Sequence, residues 1–138
     1  VTRRYFADSW FFIASLDSRD SHHAATRRLR NRYLVGEPLV THDGVLTEVL
    51  AHFCDEGRAA RLAVSAAVRR MLADHTVFAA DRALFVAGLS LYERRLDKEY
   101  SLVDCMSMEL MKARGITHVL TNDHHFRQEG FTVLSDAR

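Results

Sequence analysis

Short apolar runs recur along this chain, and each is followed within a few residues by a stretch of helical character. Residues 3–7, Leu39-Val40-Thr41, residues 76–80, residues 116–121 and Phe131-Thr132-Val133-Leu134 read as buried strands. Helices are expected over residues 9–16, 21–34, 58–73 and 101–114, and from Asp81 to about Arg95. Another begins at Asp43, a natural N-cap, carries Val45, Leu46, Val49, Leu50 and Phe53 as a stripe, and stops at Gly57. A last short turn of helix follows Asp123. Strand and helix alternating through short connections imply an α/β chain: a mainly parallel sheet of four to five strands, covered by helices on both faces. Such sheets place their sites at the carboxyl ends of the strands.

With 138 residues, 48% of them hydrophobic, the chain can build one core and is expected to be a single domain over 1–138. It has no repeats, linkers or low-complexity tracts. Its 19 basic and 18 acidic residues nearly cancel, so overall charge does not point to a nucleic-acid partner. The arrangement of the arginines is more informative. They cluster at Arg27, Arg28, Arg30 and Arg32, at Arg58 and Arg61, at Arg69 and Arg70, and at Arg94 and Arg95. Solvated helix faces explain any one cluster, but the guanidinium fork also suits phosphate, and Arg27, Arg28, Arg94 and Arg95 are expected to include such a contact. Cys54 and Cys105 lack metal or disulfide spacing and fall in expected helices, which fits a reduced, cytoplasmic chain. Asp8 interrupts the first apolar stretch, against a signal peptide, and no run is long enough to span a bilayer.

Four acids stand out against this background. Asp8 follows Tyr5-Phe6-Ala7, and Asp123 follows His118-Val119-Leu120-Thr121-Asn122, so both sit at strand ends. Asp104 lies in a helix that is apolar almost all round, with Leu102, Val103, Met106, Met108, Leu110 and Met111. Glu48 sits within the apolar helix that starts near Asp43. Each has a local explanation. Asp8 and Asp123 can cap the helices they precede, Asp104 can close a capping box with Ser101, and Glu48 can be solvated. As a set they are harder to explain locally, because converging carboxylates repel unless a cation offsets them. Mg²⁺ or Mn²⁺, which take oxygen ligands, would do so, and a metal-activated water could then attack a phosphoester. His124 and His125 are expected to orient the loop beside Asp123 rather than to bind metal. There is no zinc spacing, glycine-rich phosphate loop or nucleophile elbow.

Four segments occur in a characteristic order: Asp8-Ser9 after a strand, Val45-Leu46-Thr47-Glu48-Val49-Leu50, Asp97-Lys98-Glu99-Tyr100-Ser101-Leu102-Val103-Asp104-Cys105, and Leu120-Thr121-Asn122-Asp123-His124-His125-Phe126. Together they resemble the PIN-domain ribonucleases, VapC-type toxins in particular, essentially end to end. The resemblance implies a three-layer α/β/α sandwich and Mg²⁺- or Mn²⁺-dependent cleavage of RNA. It assigns metal binding and catalysis to Asp8, Glu48, Asp104 and Asp123, with Ser9 and Thr121 supporting the site by hydrogen bonding. It further implies a homodimer and inhibition by a small antitoxin protein, with no membrane partner. Three other readings stay open: an RNA-processing nuclease outside any toxin–antitoxin pair, a phosphoesterase acting on DNA or a small phosphoester, and a non-catalytic module that binds RNA or protein.

Overall fold

The computed structural model describes residues 3–34 and 36–137. Its elements follow the expected alternation: β1 (Tyr5–Ala7), α1 (Ser9–Leu16), α2 (His23–Tyr33), β2 (Val40–His42), α3 (Asp43–His52), α4 (Arg58–Asp74), β3 (Thr76–Phe78), α5 (Arg82–Arg94), α6 (Leu102–Arg114), β4 (His118–Leu120), α7 (His125–Gln128) and β5 (Thr132–Leu134). The five strands form one sheet in the order β3-β2-β1-β4-β5, and every pairing is parallel. Each strand is only three residues long. The three central strands are buried or nearly so, whereas β3 and β5 at the edges each expose a threonine.

The strand order decides where a site can form. From β1 the chain winds outward to β2 and β3, then crosses back to β4 and β5 on the other side. The order therefore reverses between β1 and β4. In such sheets the helices on the two sides diverge at the reversal, leaving a crevice that places sites at the carboxyl ends of those strands. Asp8 directly follows β1, and Thr121 directly follows β4.

Helix boundaries follow local chemistry with two corrections. Asp43 is not the N-cap of α3. Strand β2 runs on through His42, whose buried Nδ1 accepts the Gly44 N–H at 3.0 Å, so an imidazole caps the helix. Asp43 becomes the first helical residue, favourable beside the positive end of the helix dipole. Gly44 has no alternative here, since a Cβ would lie 2.8 Å from His42 Cε1. The second correction concerns the end of α3, which stops at His52, ahead of Gly57 and the exposed Cys54. Gly57, at φ 95°, instead serves as the N-cap of α4.

The other caps are as expected. Asp81 accepts the Leu84 N–H at 2.9 Å, and Gly115, in the left-handed region at φ 67°, closes α6. Ser101 Oγ accepts the Asp104 N–H at 3.1 Å while Asp104 Oδ2 accepts the Ser101 N–H at 3.0 Å, a complete capping box. Helix α6 is buried through Cys105, Met106, Ser107, Met108, Leu110 and Met111. It packs on α5 at close range because Gly88 faces it. A Cβ there would come within 2.5 Å of Met106 Cγ and 3.0 Å of the Met106 backbone nitrogen. Among the described residues, no helix is long and apolar enough to cross a membrane.

Candidate metal centre

The crevice beside β1 and β4 collects the four acids singled out in the sequence. Asp8 reaches it through its place in the chain. It stands at the N-cap position of α1, yet its side chain makes no capping bond. It turns into the protein, 6% exposed, where Oδ2 accepts the Thr121 hydroxyl at 2.9 Å and the buried Oδ1 has no hydrogen-bond partner. The simple capping account of Asp8 therefore fails. Burial, the nearby charge of Asp104 and the charge of Glu48 push its pKa up to about 7, against the pull of the Ser9 backbone N–H and the Thr121 hydroxyl.

Thr121 joins two of the acids. Its oxygen donates to Asp8 and accepts the Asp123 N–H at 3.1 Å, so the end of β1 and the loop after β4 are held in register. Asp123 Oδ1 then accepts the His125 N–H at 2.9 Å, shaping the first turn of α7. Asp104 reaches the same space from the first turn of α6. Its pKa is raised by burial and by the charge of Asp123, and lowered by the Ser101 N–H. Capping and site placement are thus one arrangement at Asp104, since the box that starts the helix also orients the carboxylate. Glu48, half-buried on α3, is pushed up by burial and by Asp104, while the Ser9 hydroxyl pulls it down.

The tightest grouping includes a residue that sequence reasoning assigned elsewhere. Single ligand atoms from Asp104, Asp123 and His125 lie within 4.8 Å of one another. His125 does orient the loop, through its backbone, but its ring also enters the crevice. The ring packs against Tyr100, with centroids 5.5 Å apart, and against His124 at 4.9 Å. The signal available in the sequence was the Asp-x-His spacing of Asp123 and His125 at a helix start, where an Asp side chain can accept the N–H two residues on and so lie beside that residue's ring.

The donors suit a hard divalent cation. A buried carboxylate oxygen without a partner, three carboxyls raised by burial and mutual repulsion, and an adjacent Asp–His pair are each relieved by a positive charge placed among them. Lysine and arginine do not supply it: among the described residues no ion pair to a lysine or arginine involves Asp8, Glu48, Asp104 or Asp123. Of the four arginines expected to include at least one phosphate contact, three form ion pairs with acids of the protein. Arg28 pairs with Asp136 at 2.7 Å, Arg94 with Glu109 at 3.1 Å and Arg95 with Glu129 at 2.6 Å.

A parallel α/β sheet with acids converging at its switch point matches a known family. Residues 5–131 match the PIN domain, and the chain belongs to that family. Among solved structures it is similar to VapC20 of Mycobacterium tuberculosis, described as a sarcin–ricin-loop-cleaving toxin. The two share 27% identity with a TM-score of 0.81, over 93% of this chain and 96% of that one. It also shares its fold with a chain of the DNA-bound VapBC complex of Salmonella typhimurium. There the identity is 16% and the TM-score 0.64, over 95% of this chain and 96% of that one. No curated protein matches it.

Proposed function

We propose that this chain is a divalent-metal-dependent endoribonuclease, the toxin of a toxin–antitoxin pair acting in the cytoplasm. The observation that carries the reading is Asp8: a buried carboxylate with one orphaned oxygen, beside two further acids, with no lysine or arginine paired to any of them among the described residues. In this reading Asp8, Glu48, Asp104 and Asp123 hold Mg²⁺ or Mn²⁺. The cation, when bound, supplies positive charge to the scissile phosphate and acidity to water. Thr121 holds Asp8 and the Asp123 loop in place, Ser9 sets Glu48, and the Ser101 capping box sets Asp104. Because three of the acids lie at strand and helix ends and Glu48 joins them from the middle of α3, they present charge to a phosphate backbone rather than a pocket to a base.

Similarity to VapC20 favours a folded RNA loop as the first substrate to try. The VapBC complex supports a small antitoxin as partner. A homodimer is supported by helix α5, which leaves Phe85, Val86, Leu89 and Tyr92 exposed along one stripe that continues to Leu96, 85% exposed. Sedimentation at micromolar concentration reads that state directly. The decisive assay is cleavage of a structured RNA with Mn²⁺, with and without EDTA, against a DNA of the same sequence. Cleavage of RNA alone, lost with EDTA and in Asp104→Asn, is the expected result. Equal cleavage of DNA, or RNA binding without cleavage, would replace the reading.

A further inference from the structure

We infer that His125 is itself a metal ligand, and that its imidazole tilts the site away from Mg²⁺ toward Mn²⁺ and the later transition metals. The inference rests on the metal-site reading above and goes beyond it in naming a nitrogen donor and a metal preference.

The argument starts from one contact. His125 Nδ1 lies 3.0 Å from Asp123 Oδ1, the distance of a hydrogen bond, and is shielded from solvent. It nevertheless has no hydrogen-bond partner, so the two atoms are close without the alignment that a shared proton needs. A second constraint points the same way. Asp123 Oδ1 already accepts the His125 backbone N–H at 2.9 Å, so the main chain alone fixes this turn and the ring is not needed for it.

Two donors held side by side without a proton between them are what a shared cation requires. Ligand distances of about 2.1 Å place neighbouring ligands of an octahedral ion about 3.0 Å apart. The Nδ1–Oδ1 separation is that edge. Asp104 completes the group: one ligand atom from each of the three residues lies within 4.8 Å of the others, a spread that a common ion can close with small side-chain rotations. Asp8 adds independent support, because its buried Oδ1 is also unpartnered and its carboxyl is close enough to Asp104 to be affected by its charge. The ring is held in place by packing against Tyr100, with centroids 5.5 Å apart.

The chemistry of the donor then sets the preference. Carboxylate oxygens suit Mg²⁺ and Mn²⁺ alike, whereas imidazole favours the transition metals and adds little for Mg²⁺. A site of acids plus His125 should therefore prefer Mn²⁺ and Co²⁺ to Mg²⁺ more strongly than the same acids alone.

The test uses the intact chain, stripped of metal and titrated with Mn²⁺, free ion being read by electron paramagnetic resonance and Mg²⁺ added as competitor. Pulsed resonance on the loaded protein should show nitrogen modulation from a directly bound imidazole. His125→Ala should abolish that modulation and weaken Mn²⁺ roughly 10- to 100-fold, with a smaller change for Mg²⁺. His125→Gln, which offers oxygen in place of nitrogen, should recover part of the affinity without the modulation. His124→Ala should keep both. Mn²⁺ bound by the wild type without nitrogen modulation, and unchanged in His125→Ala, would overturn the inference while leaving the acidic site standing. No saturable Mn²⁺ binding by the wild type, and no effect of Asp104→Asn, would overturn the site reading and the inference with it.

Discussion

Acids on the periphery of this protein and acids in its crevice live in opposite electrostatic settings. Around the outside, several acids pair with an arginine. Asp17 takes Arg19 at 3.0 Å, which holds its carboxyl below the usual range through hydrogen bonding, and Glu109, Glu129 and Asp136 take Arg94, Arg95 and Arg28. In the crevice Asp8, Glu48 and Asp104 are all pushed up by burial, Asp8 and Glu48 also by Asp104, and Asp104 by Asp123. The molecule carries 19 basic residues, so cations are not scarce. They are kept from the one place where repulsion is greatest. That arrangement disfavours the folded state when no cation offsets the repulsion, which is the setting the proposed metal site would relieve.

The largest test of this contrast is Asp104→Asn. It should lower RNA cleavage at least ~100-fold, more than loss of a supporting residue would. It should do so while the far-ultraviolet spectrum is retained, because asparagine can still accept the Ser101 N–H. Near-normal turnover would return Asp104 to a purely capping role.

Next in size is the metal-free stability of Asp8→Asn. Asp8 has a folded pKa of about 7 against 3.8 in the unfolded chain, so the folded form binds more protons between those values. Its contribution is most favourable below pH 3.8 and is lost as pH rises through 7. Removing the charge should stabilise the chain at pH 8 by up to about 4 kcal/mol in EDTA, and by little near pH 4. His42 acts with the opposite sign. Burial lowers its pKa from 6.5 to about 4, so its contribution is full above pH 6.5 and is lost as pH falls toward 4. The two oppose each other in the wild type. Asp8→Asn should therefore unmask a stability that rises with pH over that window, measured by urea denaturation across pH 4–8. Parallel pH curves for the two proteins would sink the account.

Smaller again is Ser101→Ala. Loss of the cap should lower stability by about 1 kcal/mol, and activity should fall further than that loss explains, because Asp104 loses its guide. A melting and activity profile like the wild type would show neither role for Ser101. The smallest effect belongs to the periphery. Arg94→Ala breaks a solvent-screened pair with Glu109 and should change stability by less than about 1 kcal/mol. A larger loss would mean that peripheral pairs, too, are structurally committed, and the contrast between the two regions would weaken.

Much of the fold was legible because its signals are local. The capping box at Ser101, the Asp81 cap, the Gly115 stop and the alternation of short apolar runs with helices depend on residues a few positions apart. Where a local signal misled, a neighbour in space had taken over its role. Asp43 resembles a cap in sequence, but His42 performs the capping, because its ring is buried with Nε2 donating to Ser107 Oγ at 2.9 Å and Nδ1 free to accept Gly44. Arg95 resembles a phosphate ligand in sequence. It is held by Glu129, whose side chain is 7% exposed and lies 34 positions away.

By itself, then, the sequence determined the kind of elements, most of their ends and the identity of four acids that needed explaining. Periodicity, capping chemistry and turn residues act within a few residues and need no partner. The tertiary structure alone decided that β4 would lie beside β1, that Asp8 would hold Thr121 across 113 positions, and that the His125 ring would face Asp123 rather than solvent. Those outcomes depend on strand order and on the packing of α6 against α5, which sum many weak contacts between distant segments. No window along the chain contains both sides of such a contact.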